Sequence, residues 1–202
     1  MIPPDITTPR LTLTAMSEDF VGDRYLRWMS SPQVTEFTES RFVSPTLTEL
    51  AKFVRSTRES SDSYIFAIVE TVTGEHVGNI KLGPVNEHHR RAAIGIIIGE
   101  SSAWGQGYAT EAVAGVSEWA FSALGLGKLI AGMYAANVGS ARAFEKAGFV
   151  IEGRQVEEVI LADGTRGDTL LLGKVLPRDA ASPADSQWRS KSSTDPTPMS
   201  AR

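Results

Sequence analysis

Apolar and polar positions fall into blocks along this chain, and the period of each block predicts an element. Leu11, Leu13 and Ala15 alternate with threonines over residues 11–15, the spacing of a short half-buried strand. Phe20, Tyr25, Leu26 and Met29 supply the apolar positions of a helix, and Ser17 in front of them suits an N-cap. A helix is therefore expected from Ser17 to about Met29, ended by Ser30-Ser31-Pro32. Residues 33–45 are polar with scattered aromatics and read as a loop with room for a short helix. Leu47, Leu50, Phe53 and Val54 predict a second helix from behind Pro45 to about Arg58.

Strand character then takes over. Residues 64–70 and 75–82 flank Thr73-Gly74, a hairpin signal. Residues 84–90 read as a polar crossing loop and 91–99 as a third strand. In that strand Ile94, Ile96, Ile97 and Ile98 are apolar almost without alternation, which predicts a central strand covered on both faces. Ala112, Val113, Val116, Trp119, Ala120 and Phe121 recur at helical intervals over 109–124. Residues 129–134 predict a strand and 140–147 a helix, with Gly148 just past its end as a C-terminal glycine. The last pair of strands, 152–161 and 166–175, is joined through Asp163-Gly164, a strong hairpin turn. This order predicts one mixed α/β domain over 11–176 behind an N-terminal arm, 1–10. From Pro177 onward Ser, Pro, Thr, Asp and Arg leave little to bury, so 177–202 is expected to be a disordered tail.

The 202 residues suit one domain with a core that needs no covalent staple. Having no cysteine, the chain can form no disulfide, thiolate nucleophile or cysteine-ligated metal site, which suits a reducing compartment; a cytoplasmic location is expected. A net charge of -4, from 20 basic and 24 acidic residues, argues against a broad nucleic-acid surface. The first ten residues carry no apolar core of a signal peptide, and no apolar run approaches bilayer length, so no membrane partner is expected. His76, His88 and His89 are not at metal-ligand spacing, and no metal site is expected.

The stretch Trp104-Gly105-Gln106-Gly107-Tyr108-Ala109-Thr110-Glu111-Ala112 carries the most chemistry. An apolar strand precedes it and a helix follows. Such a turn lines up unpaired backbone N–H groups that can hold an anion, typically a cofactor phosphate. Gly105 and Gly107 keep side chains out of the ligand's approach. By itself the segment also reads as a tight strand–helix turn with no ligand.

A second block, Asn137-Val138-Gly139-Ser140-Ala141-Arg142-Ala143-Phe144-Glu145-Lys146-Ala147-Gly148-Phe149, decides between these. The two blocks and the strand between them resemble the GCN5-related N-acetyltransferase (GNAT) superfamily. Within it they are most similar to the branch of ribosomal-protein N-terminal and amino-sugar acetyltransferases. The family's loop has the form Gln/Arg-x-x-Gly-x-Gly/Ala; Ser102 stands at its first position here. The resemblance implies a GNAT-like α/β fold whose mixed central sheet, flanked by helices, splays two parallel strands, 93–99 and 129–134. It implies acetyl-CoA as cosubstrate, its pantetheine arm along Ile96, Ile97 and Ile98. Trp104 and the backbone of Gly105, Gln106, Gly107, Tyr108, Ala109 and Thr110 would surround the pyrophosphate. Asn137 would contact the cofactor or satisfy backbone groups, and Arg142 and Lys146 would reach its phosphates or face solvent.

The implied reaction is acetyl transfer to an uncharged amine, so a base must take a proton and an acid must serve the departing thiolate. Glu100 is the first candidate base, against the reading of an exposed Glu before a loop. His88 or His89 could carry the proton or touch the acceptor, or lie on the surface. Tyr134 and Ser140 are the candidate acids, with helix capping the alternative for Ser140. Trp28, Glu36, Phe37 and Phe42 would line the acceptor pocket or close the core. The acceptor implied is a small-molecule amine, such as an amino sugar or sugar nucleotide met by Lys81, Arg90 and Arg91. A protein N-terminus is the alternative, and a non-catalytic acyl-CoA-binding module a third reading. Family members are often homodimers, and the final hairpin could pair with a neighbour.

Overall fold

Eight extended segments pair into one sheet in the computed structural model, which describes residues 2–176. They are β1 (Ile6–Thr7), β2 (Leu11–Ala15), β3 (Tyr64–Glu70), β4 (His76–Asn86), β5 (Arg91–Ile98), β6 (Lys128–Tyr134), β7 (Val150–Ile160) and β8 (Arg166–Val175). Between β2 and β3 lie α1 (Asp23–Met29), α2 (Pro32–Thr35) and α3 (Leu47–Glu59). Helix α4 (Tyr108–Ser122) follows β5, and α5 (Val138–Lys146) follows β6. The strand order is β1-β2-β3-β4-β5-β6-β8-β7, antiparallel throughout except for the parallel pair β5 and β6. This is the mixed α/β domain, with a mixed sheet flanked by helices, that the resemblance implies. The expected tail, 177–202, lies outside the described residues.

Side-chain alternation splits the sheet into two apolar layers. Phe66, Ile68, Ile80, Leu82, Ala92, Ile94, Leu129, Ala131 and Met133 join the core that packs on α4 and α5. Ile65 and Ala67 face the other way, onto Tyr25, Trp28 and Met29 of α1 and Leu50 and Val54 of α3. Helix α3 begins as its sequence asks: Thr46 and Glu49 form a reciprocal capping box.

The helix expected from Ser17 to Met29 is broken. Ser17 leads only into a single 3-10 turn, Glu18–Phe20, and its hydroxyl donates to Asp19 (2.9 Å) instead of capping. Val21 is extended, and the chain re-enters a helix only behind Gly22. A β-branched residue followed by glycine favours such a break. Residues 84–90 do not form a crossing loop either: β4 runs on to Asn86 and turns directly into β5, a hairpin. Strand β5 is not covered on both faces: only Ala92 and Ile94, which share the α4 face, are buried, while Arg91 on the other face is exposed. Gly95 is exposed, and Ile96, Ile97 and Ile98 are half-buried. Past Ala93 its neighbour adds to the exposure: β5 and β6 pair only at Arg91–Lys128, Ala92–Leu129 and Ala93–Ile130, then part.

Candidate active site

The parting of β5 from β6 leaves main-chain groups of β5 without a strand partner. Gly99 N–H donates to Val77 O (2.9 Å), and Ile98 lies opposite Gly78, which fixes the phase of the ladder. Odd-numbered residues of this stretch therefore turn their main chain to β4, and Ile96 and Ile98 turn theirs to the gap. The Ile98 carbonyl accepts from Trp104 Nε1 (2.8 Å), so Trp104 braces the end of the open strand. The side chain of Ile97 faces the α1 layer.

Past β5 the chain makes one 3-10 turn, Ser101–Ala103, and enters the glycine loop. Gly105 (φ 72°) and Gly107 (φ 82°) are left-handed, and Gly107 is the N-cap of the 15-residue α4. Left-handed backbone suits glycine and strains other residues. Among the described residues, no acceptor meets the backbone N–H groups of Gly105, Gln106, Gly107, Tyr108, Ala109 or Thr110. Six donors at the positive end of a helix form a cradle that fits a pyrophosphate.

Glu111, in the first turn of α4, would repel an anion there, and the structure neutralises it. Arg10 meets it through its main-chain N–H (2.7 Å), Nε (2.8 Å) and Nη2 (2.7 Å), and the Thr8 hydroxyl donates to it as well (2.7 Å). Burial pushes the Glu111 carboxyl up, but the Thr8 and Arg10 donors outweigh it and hold it below the ordinary carboxylate value. Arg10 also donates from Nη1 to Gln106 O (2.9 Å) and stacks over Tyr108. Tyr108 in turn donates its hydroxyl to Glu70. Thr8 and Arg10 escaped the sequence reading. The acidic Glu111 beside an anion cradle calls for a cation, but nothing local names one about a hundred residues away.

Just past the end of β5, Glu100 and Trp28 form one unit. Trp28 Nε1 donates to Glu100 Oε1 (3.0 Å), and Arg27 (3.3 Å) and Arg24 (3.8 Å) reach the same oxygen. Trp28 is only 2% exposed and lies edge-on to His76. Its indole occupies the space over Gly99, where a Cβ would stand 2.0 Å from the ring. Trp28 thus holds Glu100 from within the core.

Tyr134, at the end of β6, is 6% exposed and on the α1 side of the sheet. Its hydroxyl donates to Glu39 Oε1 (2.7 Å). Burial, then the Glu39 carboxylate, pushes the Tyr134 hydroxyl above its ordinary pKa, so it stays protonated. Phe37 meets the ring edge-on at 6.3 Å, and Arg41 lies 5.6 Å over it while bonding Ile160 O of β7. Phe42 is 63% exposed under the Arg41 guanidinium, and Glu36 is exposed nearby in sequence. Gly95 and Gly132 are exposed on the face that carries Tyr134, so the sheet there is bare beside the hydroxyl. Glu39 and Arg41 were not singled out from sequence, because in a polar loop nothing distinguishes them from other charges.

The remaining candidates divide. Asn137 caps α5 by accepting from Ser140 N–H (3.1 Å), so the capping expected of Ser140 belongs to Asn137. Arg142 and Lys146 are exposed on α5. His88 and His89 sit in the β4–β5 turn, at the closed end of the strand pair, where Gly127 N–H donates to Arg90 O (2.7 Å). Strand β5 separates them from Glu100 by about 25 Å at ~3.3 Å per residue. His88 is therefore not brought to the open end, nor are Arg90 and Arg91. The cause is that 84–90 closes a hairpin.

A family model described as the acetyltransferase (GNAT) domain matches residues 10–150. The uncharacterized N-acetyltransferase YoaA of Bacillus subtilis is 37% identical over 108 residues, 53% of this chain and 59% of that protein, under two thirds of its length. The uncharacterized N-acetyltransferase p20 of Bacillus licheniformis is 28% identical over 150 residues, 72% of this chain and 82% of that protein. Among solved structures, spermidine N-acetyltransferase from Vibrio cholerae, in complex with CoA and spermine, superposes with a TM-score of 0.72. That match has 21% identity and covers 82% of this chain and 95% of the other.

Proposed function

The chain belongs to the family of acetyltransferase (GNAT) domains, and from that premise we propose that it moves the acetyl group of acetyl-CoA to the primary amine of a small molecule. One observation carries the reading: β5 and β6 pair over three positions and then part beside a helix N-terminus whose N–H groups have no protein acceptor. The N–H cradle would hold the pyrophosphate. The main chain of Ile96 and the N–H of Ile98, which have no strand partner, would pair with the amides of the pantetheine arm, bringing the thioester to the bare strip between Gly95 and Gly132. Arg142 and Lys146 extend the positive surface from α5. Tyr134, kept protonated, is the acid for the departing thiolate.

Glu100 offers one unengaged oxygen beside the end of β5; its other oxygen is occupied by Trp28 and two arginines. Of the cations expected to meet a sugar nucleotide, Arg90 and Arg91 lie at the closed end of the strands, which favours a small amine without a nucleotide, and only Lys81 stands beside the open stretch, opposite Gly95. The α1–α3 segment covers the acceptor side, and this also favours a compact acceptor over a peptide chain.

The test is release of free thiol from acetyl-CoA across a panel of polyamines, amino sugars, amino-sugar nucleotides, amino acids, aminoglycosides and peptides with free N-termini. Acceptor-dependent release with a small amine is expected. Release with peptides alone would move the acceptor to a protein N-terminus. Binding of acetyl-CoA with no release would leave a binding module.

A further inference from the structure

Two carboxylates flank the open strands, and they differ in what they hold. Glu100 is tied to an indole and two guanidinium groups. Glu39 is exposed and accepts the hydroxyl proton of Tyr134 at 2.7 Å. Acetyl transfer moves protons at two atoms that are joined to one carbon during the exchange: the amine nitrogen loses them and the sulfur gains one. Those atoms lie about 3 Å apart in a reacting geometry, so a carboxylate and a hydroxyl already bonded to each other can serve both.

We propose that Glu39 and Tyr134 form a proton relay, in which Glu39 takes a proton from the acceptor nitrogen while Tyr134 gives its own to the departing thiolate. The relay rests on the acetyl-transfer reading above. An acceptor arriving as an ammonium first loses one proton to solvent. The C–N bond then forms and the C–S bond breaks. Glu39 removes the second nitrogen proton, and Tyr134 protonates the sulfur. The proton on Glu39 returns to Tyr134 along their hydrogen bond, so both groups end as they began. The sum is amide, thiol and one proton in solution, with no further reactant.

The surroundings fit this use. Tyr134 is buried while Glu39 faces solvent, as a proton donor to a sheltered sulfur and an acceptor from an incoming amine require. Gly132, two residues before Tyr134 on the same face, and Gly95 across the gap leave room at the sheet surface. The segment carrying Glu39 is fixed at both flanks, by Phe37 against Tyr134 and by Arg41 on Ile160 O. The charged groups facing Tyr134 are Glu39 and Arg41.

The test compares the unmodified protein with Glu39→Gln, Glu39→Asp, Tyr134→Phe and Glu39→Gln/Tyr134→Phe, using the panel amine of highest turnover. Glu39→Gln and Tyr134→Phe should each lower kcat by about 100-fold or more, with KM for acetyl-CoA changed less than about threefold. The double variant should be no more than about threefold slower than the slower single one, as for groups that act as a unit. Glu39→Asp should regain about tenfold of the loss. The rate of Glu39→Gln should climb more steeply with pH than that of the unmodified protein, because hydroxide must then take the second nitrogen proton in place of Glu39. A Glu39→Gln kcat within threefold of the unmodified protein, additive losses in the double variant, or equal losses in Glu39→Asp and Glu39→Gln would overturn the relay alone. An unmodified protein inactive on every amine would overturn the acetyl-transfer reading and the relay with it.

Discussion

The glycine loop and the face of the sheet that carries Tyr134 are built by different means. The loop is a local object: two left-handed glycines and a helix start, within a few consecutive residues, present a row of main-chain donors. The other region is assembled from side chains far apart in the chain. Trp28 meets Glu100 across 72 positions, Glu39 meets Tyr134 across 95, and Arg41 meets Ile160 across 119. Main-chain recognition tolerates changes of side chain but not of backbone angle. Side-chain recognition does the reverse, so under the proposed function the loop would be the constant site, for acetyl-CoA, and the other region the adjustable one, for the acceptor.

The contrast is tested hardest at Gly99, which belongs to β5's end but serves the other region. A Cβ there would stand 2.0 Å from the Trp28 indole, so Gly99→Ala must push the ring out or bend the strand. Overpacking of this kind costs about 3 kcal/mol at the upper end of its usual range. A loss of roughly 6–12 °C in Tm follows for a domain of this size. Calorimetry should show the loss in Tm, kinetics a fall in kcat, and titration an acetyl-CoA affinity within about threefold of the original. If acetyl-CoA affinity collapses instead, the two halves are one unit.

The next test falls on the loop itself. Gly107→Val places a β-branched residue at φ 82° and should weaken acetyl-CoA binding about tenfold or more, the equivalent of ~1.4 kcal/mol of backbone strain. Gln106→Ala, which changes only an exposed side chain, should leave it within about twofold. Titration calorimetry with acetyl-CoA separates the two. Equal losses would mean that the Gln106 side chain binds the ligand and that the loop is not a main-chain device.

The same division explains what could be read from the sequence. The loop, the strands 11–15 and 64–70 and the Asp163-Gly164 hairpin were legible because each is set by a few adjacent residues. The break at Val21-Gly22 was hidden because the apolar spacing from Phe20 to Met29 continues across it; only the backbone preference of two residues interrupts it. The isoleucines of β5 signalled burial, yet half of that strand faces a gap. Composition cannot say where a neighbouring strand turns away. His88 fell at the wrong end because it stands before the first residue of β5, where β5 and β6 pair, and the strands part only past Ala93. Glu39, Arg41, Thr8 and Arg10 were out of reach for a plainer reason. Each acquires its meaning from a partner about a hundred positions away.

The smallest expected effect bears on which hydroxyl protonates the thiolate. Ser140 gives its main-chain N–H to Asn137, and among the described residues no partner holds its side chain. Tyr134 is committed, through a hydrogen bond that pins its orientation. If catalysis runs through the pinned group, Ser140→Ala should leave both Tm and kcat unchanged within error. Asn137→Ala removes the α5 cap and should cost about 1 kcal/mol, a drop of roughly 2–4 °C in Tm. The pair therefore separates structure from chemistry on a single turn of helix. Should Ser140→Ala lower kcat about 100-fold with Tm intact, the proton comes from α5. The acceptor side would then share its acid with the main-chain half of the site, and the division between the two regions would fail at the reacting atoms themselves.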